Sequence, residues 1–122
     1  MKVSIVGAGH VGLVTGACLA DCGHRVLIGD HDRKRVTRLK HGTMPFYEPE
    51  LEELVRRGIA ERRLRFTTSL RDVVNHATVL FLSVPTPPRA NGEADLTVVE
   101  HVTRQIAQAM RSYRLIVEKS TV

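Results

Sequence analysis

Tryptophan is absent, and aromatic residues of any kind are scarce, with two tyrosines and three phenylalanines in 122 residues. A surface that binds single-stranded nucleic acid by stacking bases is therefore poorly supplied. The net charge of +5 does not revive that reading, because the basic residues are spread over several segments and no nucleic-acid-binding motif accompanies them. Only two cysteines are present, Cys18 and Cys22. Two cannot build a disulfide framework, so a reducing compartment is expected. Long apolar runs are also missing. The longest are broken by Gly, Asp or Pro, so none is expected to span a bilayer. One lysine and the short run Val3 to Val6 do not make a secretory leader, and the expected location is the cytoplasm. Hydrophobic residues at 43% and charged residues at 25% are an ordinary globular balance. The length suits one domain of roughly 100–150 residues.

What is present alternates between two periods. Lys2 to Val6 is a short run of Val and Ile that fits a strand covered on both faces. A helical pattern follows from about His10 to Cys22, with Val11, Val14 and Cys18 on one face and Leu13, Ala17 and Ala20 on the adjoining stripe. Gly23 then falls where a left-handed C-cap is expected. Arg25 to Gly29 is predicted as the second strand. A short helix should bury Val36 and Leu39 and stop at Gly42. Pro49 is expected in the first turn of a third helix carrying Leu51, Leu54 and Val55, which Gly58 should break. Leu64 to Thr67 is a short strand. Ser69 and Asp72 have the spacing of a capping box. Thr78 to Val84 is predicted as a buried strand. A loop from Pro85 to Ala94 leads to Asp95 as N-cap and to a helix marked by Val99, Val102, Ile106 and Ala109. Leu115 to Glu118 is the last strand. This order predicts an α/β fold, a Rossmann-like doubly wound parallel sheet in the order 3-2-1-4-5.

Gly7-Ala8-Gly9-His10-Val11-Gly12 matches G-x-G-x-x-G. By itself the pattern is weak, but here it joins a predicted strand to a predicted helix, the context in which it binds dinucleotides. Gly7 allows a tight turn, Gly9 lets a pyrophosphate approach the backbone, and Gly12 lets the helix pack on the strands. The free N–H groups of the first helical turn and the helix dipole then favour phosphate. Asp30 follows 18 residues after Gly12, at the end of the second strand. A carboxylate there accepts from ribose hydroxyls and repels a 2′-phosphate, which favours NAD over NADP. Arg33, Lys34 and Arg35 pull the other way. The alternative is a plain strand–turn–helix in which Asp30 is only a cap.

The remaining reactive side chains assemble into little. Cys18, Cys22 and His24 form C-x3-C-x-H without a convincing fourth ligand, so no metal site is expected and the cysteines read as small hydrophobes buried in a helix. His10 lies inside the glycine turn and is either a cofactor contact or a solvent-facing first-turn residue. The arginines at 56, 57, 62, 63 and 65 read as a solvated face.

Beyond the glycine turn and Asp30, three stretches carry a family resemblance: Met44-Pro45-Phe46-Tyr47-Glu48-Pro49-Glu50-Leu51, Ser83-Val84-Pro85-Thr86-Pro87 and Lys119-Ser120-Thr121-Val122. Asn91 to Leu96 fits as well. Together they resemble the N-terminal NAD-binding domain of the UDP-glucose/GDP-mannose dehydrogenases, from end to end. The resemblance implies that Gly7, Gly9, His10, Val11 and Gly12 cradle the NAD pyrophosphate and that Asp30 and Arg35 lie at the adenosine ribose. It implies that Pro85 and Thr86 line the cofactor and that Thr121 touches NAD and positions a catalytic water. The family usually has Tyr in the place of His10. Its reaction oxidises a sugar C6 alcohol twice, to a uronate for polysaccharide biosynthesis, through a covalently held aldehyde. The cysteine nucleophile belongs to a later part of the family's chain, and neither Cys18 nor Cys22 matches it.

The resemblance thus implies that residues 1–122 are a partial NAD-binding domain, without the central helix and substrate domain, and inactive alone. The nucleotide sugar is then a partner of the full-length enzyme only, and a sheet cut after its fifth strand is expected to self-associate. Two other readings stay open: a stand-alone NAD-binding module without turnover, and another Rossmann dehydrogenase.

Overall fold

The structure is a computed structural model, and it describes residues 1–119. Five strands form one wholly parallel sheet: β1 (Lys2–Val6), β2 (Arg25–Gly29), β3 (Leu64–Thr67), β4 (Val79–Leu82) and β5 (Leu115–Glu118). Their order is β3-β2-β1-β4-β5, as the alternating pattern predicts. Five helices connect them: α1 (His10–Asp21), α2 (Arg33–Lys40), α3 (Leu51–Ala60), α4 (Leu70–His76) and α5 (Thr97–Ala109).

Strand alternation divides the core in two. Val3, Ile5, Val26, Ile28 and Leu64 face one side and pack with Leu13, Ala17 and Ala20 of α1, with Val36 and Leu39 of α2, and with Val55 of α3. Val6, Leu27, Leu80 and Leu82 face the other side and meet Val73 and Val74 of α4 and Ile106 of α5. Because both faces are covered, the central strands read as unbroken apolar runs. Ser4 is the polar exception in β1. It is fully buried, and its hydroxyl donates to the Val73 carbonyl at 2.6 Å, so burial leaves nothing unpaired.

Five local expectations change. Gly58 does not break α3, which runs on to Ala60. A Cβ at Gly58 would lie 2.9 Å from the Leu64 Cβ, so the glycine serves close packing of α3 on β3. Pro49 precedes α3 rather than opening it, because a turn from Glu48 comes first, with Leu51 N donating to the Glu48 carbonyl at 3.1 Å. Glu50 adopts φ +68° at the cap. Strand β4 is shorter than the run Thr78 to Val84, since Ser83 and Val84 turn into the following loop. Cys18 and Cys22 are exposed, because the inward stripe of α1 runs through Leu13, Gly16, Ala17 and Ala20. Leu96 stands at the N-cap position of α5, yet Asp95 still does the capping chemistry, accepting from Thr97 N at 2.9 Å and Thr97 Oγ1 at 2.6 Å.

Candidate dinucleotide-binding site

The strand order reverses at β1, whose neighbours β2 and β4 lead to opposite halves of the sheet. In parallel α/β sheets such a switch point opens a crevice at the carboxyl ends of the strands. A cleft of about 1070 Å³ occupies this place. It is lined by the ends of β1 and β2, the first turn of α1, the 83–88 segment after β4, Val102 and Gln105 of α5, and Lys119.

The glycine turn forms one wall. Gly7 has φ +107°, and a Cβ there would overlap the Ser83 carbonyl oxygen, so both its conformation and its surroundings require glycine. Gly12 is buried rather than on the cleft wall, and a Cβ on it would overlap the Gly7 carbonyl oxygen. Its part is the close approach of α1 to the turn. Gly9 differs from both. A Cβ at Gly9 would meet nothing within 4 Å, and the residue lines the cleft. The space beside its backbone is therefore open to a ligand.

Gly9 is also the N-cap of α1, with no side-chain cap and no acidic residue in the first turn. The contrast with α2 and α4 is direct: Asp32 caps α2 through the Arg35 amide at 3.1 Å, and Ser69 caps α4 through the Asp72 amide at 3.2 Å. That amide bond, with the Arg35 charge assisting, holds the Asp32 carboxyl below the usual carboxylate range. The first amides of α1 are left to face the cleft with the positive end of the helix dipole. This is a seat for an anion.

Asp30 forms the far wall. Its side chain is only 6% exposed, with Oδ2 accepting from Ala8 N at 2.8 Å and Oδ1 from Asp32 N at 2.9 Å. Arg35 Nη1 stands 3.6 Å from Oδ2 and His31 Nδ1 3.5 Å from Oδ1. The carboxylate thus ties the end of β2 to the glycine turn and still borders the cleft. Each oxygen has a second lone pair for a hydroxyl donor.

His10, Val11, Arg35, Pro85 and Thr86 all line this cleft, as do Gly7, Gly9 and Asp30. Thr121 lies outside the described residues. Cys18 and Cys22 do not line the cleft, and among the described residues no three His, Cys, Asp or Glu side chains group to hold a metal. Two features escape sequence reasoning. His10 Nε2 pairs with Glu48 Oε2 at 2.9 Å, and its ring lies 5.0 Å from that of Phe46. The partners are 38 residues apart, so no local pattern joins them. Ser83 Oγ is buried beside the glycine turn without a hydrogen-bond partner among the described residues, in a residue that lines the cleft. An unpaired buried hydroxyl is costly unless something else satisfies it.

The open cradle at Gly9, the uncapped α1 terminus and the orphaned Ser83 hydroxyl fit a phosphate-bearing dinucleotide. The comparisons with known proteins agree. The UDP-glucose 6-dehydrogenase of Pseudomonas aeruginosa is 44% identical over 122 residues, all of this chain and 27% of that protein. The UDP-glucose 6-dehydrogenase TuaD of Bacillus subtilis is 38% identical over 121 residues, 99% of this chain and 26% of that protein. Among solved structures, the GDP-mannose dehydrogenase of P. aeruginosa superposes with a TM-score of 0.95 at 37% identity, over 100% of this chain and 29% of that one. The UDP-glucose dehydrogenase of Pyrobaculum islandicum gives 0.93 at 38% identity, over 99% and 29%. The chain thus spans little more than a quarter of the length of these relatives. The NAD binding domain of the UDP-glucose/GDP-mannose dehydrogenase family matches residues 1–122, and the chain belongs to that family.

Proposed function

We propose that this chain is the NAD-holding part of a UDP-glucose 6-dehydrogenase-like oxidoreductase that converts the C6 alcohol of a nucleotide sugar to a uronate. The observation that carries the reading is the single cleft shared by an uncapped helix terminus at Gly9 and a carboxylate at Asp30. Bound there, NAD supplies the hydride acceptor for alcohol oxidation.

The residues divide the binding work. The α1 amides and the open face of Gly9 hold the pyrophosphate. Asp30 accepts from the adenosine ribose, and Arg35 steadies the carboxylate. Pro85 and Thr86 wall the cleft at the end of β4, and Ser83 offers a hydroxyl at its floor. Thr121 is assigned the positioning of a catalytic water on the strength of the family resemblance. The covalent nucleophile is not Cys18 or Cys22. On the family resemblance we assign the sugar-nucleotide site and the nucleophile to residues outside 1–122, and residues 1–122 by themselves are expected to be inactive and prone to associate. A cytoplasmic setting and a supply of uronate for polysaccharide biosynthesis complete the proposal. The intact mass of the native polypeptide separates this reading from a stand-alone NAD module. A mass several times 13.6 kDa supports the enzyme, and 13.6 kDa supports the module.

Gly9→Val is the direct test. A Cβ at Gly9 meets no protein atom, so the variant is expected to fold, as followed by circular dichroism. Its side chain fills the cradle, so calorimetric NAD binding should be lost. A folded variant that still binds NAD removes the pyrophosphate assignment.

A further inference from the structure

His10 stands at a junction of charges. It is the first residue of α1, lines the cleft, and reaches out of it to Glu48 in the loop before α3. The ring is half-exposed. Phe46, from the same loop, lies against it with ring centroids 5.0 Å apart and the planes tilted by 36°. The 43–50 segment, whose Met44 and Phe46 pack on the core, thus also meets the rim of the cleft through the His10 imidazole.

We propose that His10 and Glu48 form a proton-linked clasp, so that binding a pyrophosphate in this cleft draws a proton onto His10. The inference rests on the NAD reading above. Histidine is the side chain whose charge changes between about pH 5 and 8. At the positive end of α1 the helix dipole opposes an imidazolium, and the Glu48 carboxylate 2.9 Å from Nε2 favours one. A pyrophosphate seated on the α1 amides places two negative charges beside the ring and turns this balance toward the protonated form. Protonated His10 attracts both Glu48 and the phosphate and so holds the loop to the cofactor.

The other charges around the cleft are fixed or accounted for. From the β2–α2 connection come Asp30, His31 and Asp32, and from α2 comes Arg35. Lys119 lines the cleft beyond β5, and the first turn of α1 contains no acid. His31 is the other imidazole among the residues that line the cleft. It is exposed and lies beside Asp30, not Glu48.

By linkage, NAD should bind more tightly as pH falls through the histidine range. The expected gain from pH 8 to pH 6 is about five- to tenfold, the scale of one partly screened charge pair. The test is calorimetric titration of the intact native chain with NAD at both pH values, in two buffers of different protonation enthalpy. Tighter binding at pH 6 with net proton uptake supports the clasp. So does a His10 ring-proton resonance that titrates higher with NAD bound. His10→Tyr should bind with a flat pH profile, His31→Gln should keep the slope, and Glu48→Gln should weaken binding most at pH 6. Affinity independent of pH in the native chain overturns the clasp and leaves the NAD reading standing. The clasp also falls if His10→Tyr keeps the slope, if His31→Gln abolishes it, or if Glu48→Gln titrates like the native chain. Absence of NAD binding at either pH overturns both.

Discussion

The Asp30 side chain is almost fully buried, and both of its oxygens accept backbone amides, from Ala8 at 2.8 Å and Asp32 at 2.9 Å. The sequence pattern names it as a ribose ligand. The structure adds that the same carboxylate holds the glycine turn against β2. Asp30→Ala should therefore weaken NAD binding by about 1–3 kcal/mol, the scale of a lost charged hydrogen bond. It should also lower stability, because two amides lose their acceptor. Calorimetry and a urea titration separate the two effects. Unchanged NAD affinity would remove the ribose role, and a fall in stability alone would leave Asp30 as a purely local brace. At this scale the glycines and Asp30 are legible because a local motif carries them, whereas Pro85 and Thr86 come only through the family resemblance. The pairing of His10 with Glu48 is not, since it depends on how a loop folds back across 38 residues.

The strands and helices are legible because apolar periodicity reports burial, and here burial is simple: two helical layers on one parallel sheet. The departures fall where tertiary contact overrides local preference. Glycine is a poor helix former, so Gly58 reads as a stop, yet contact with Leu64 keeps it inside α3. Propensity alone would make Gly58→Ala stabilising by about 1 kcal/mol. Its Cβ would sit 2.9 Å from the Leu64 Cβ, which is held in β3 and cannot swing away. The expected result is a net loss of about 1–3 kcal/mol, read from the urea midpoint. A gain would show that α3 slides on β3 without penalty. Helix α4 supplies a second prediction. His76 ends it, with Nε2 3.2 Å from the Arg25 carbonyl, the geometry of a ring N–H donor. Burial pushes the imidazole below the ordinary histidine range, and the charges of Arg65 and Lys2 add to this while the bond to Arg25 opposes it. The unfolded chain then binds more protons than the native one, so stability rises with pH through this window. The penalty is absent above about pH 7 and grows as pH falls through the unfolded value near 6.5. Urea midpoints at pH 5.5 and 7.5 should differ in that direction, and His76→Gln should reduce the difference. An undiminished difference in the variant would assign it to other groups.

At the scale of the molecule, the sheet is covered unevenly. Strands β1 and β2 are buried on both faces, whereas β5 keeps Leu115 at 48% and Ile116 at 37% exposure, with Tyr113 at 72% just before it. β5 is also an edge strand, hydrogen-bonded to β4 on one side only among the described residues. An apolar edge with free backbone donors and acceptors invites pairing with another chain, and natural proteins usually blunt it with charge or cover it. Arg114 precedes the strand and Glu118 ends it, but its middle carries no charge. The chain of 122 residues is therefore expected to associate as concentration rises. Light scattering should show a mass above 13.6 kDa that depends on concentration, and Leu115→Lys should move it toward the monomer. Because Leu115 is half-exposed, the lysine ammonium reaches water without disturbing the core, so the variant reports on the edge and not on folding. A native-sequence chain that stays monomeric to about 1 mM would mean that the twist and shortness of β5 already protect it. If Leu115→Lys still associates, the contact lies elsewhere, and the exposed Leu96 and Val98 at the start of α5 become the surface to charge next.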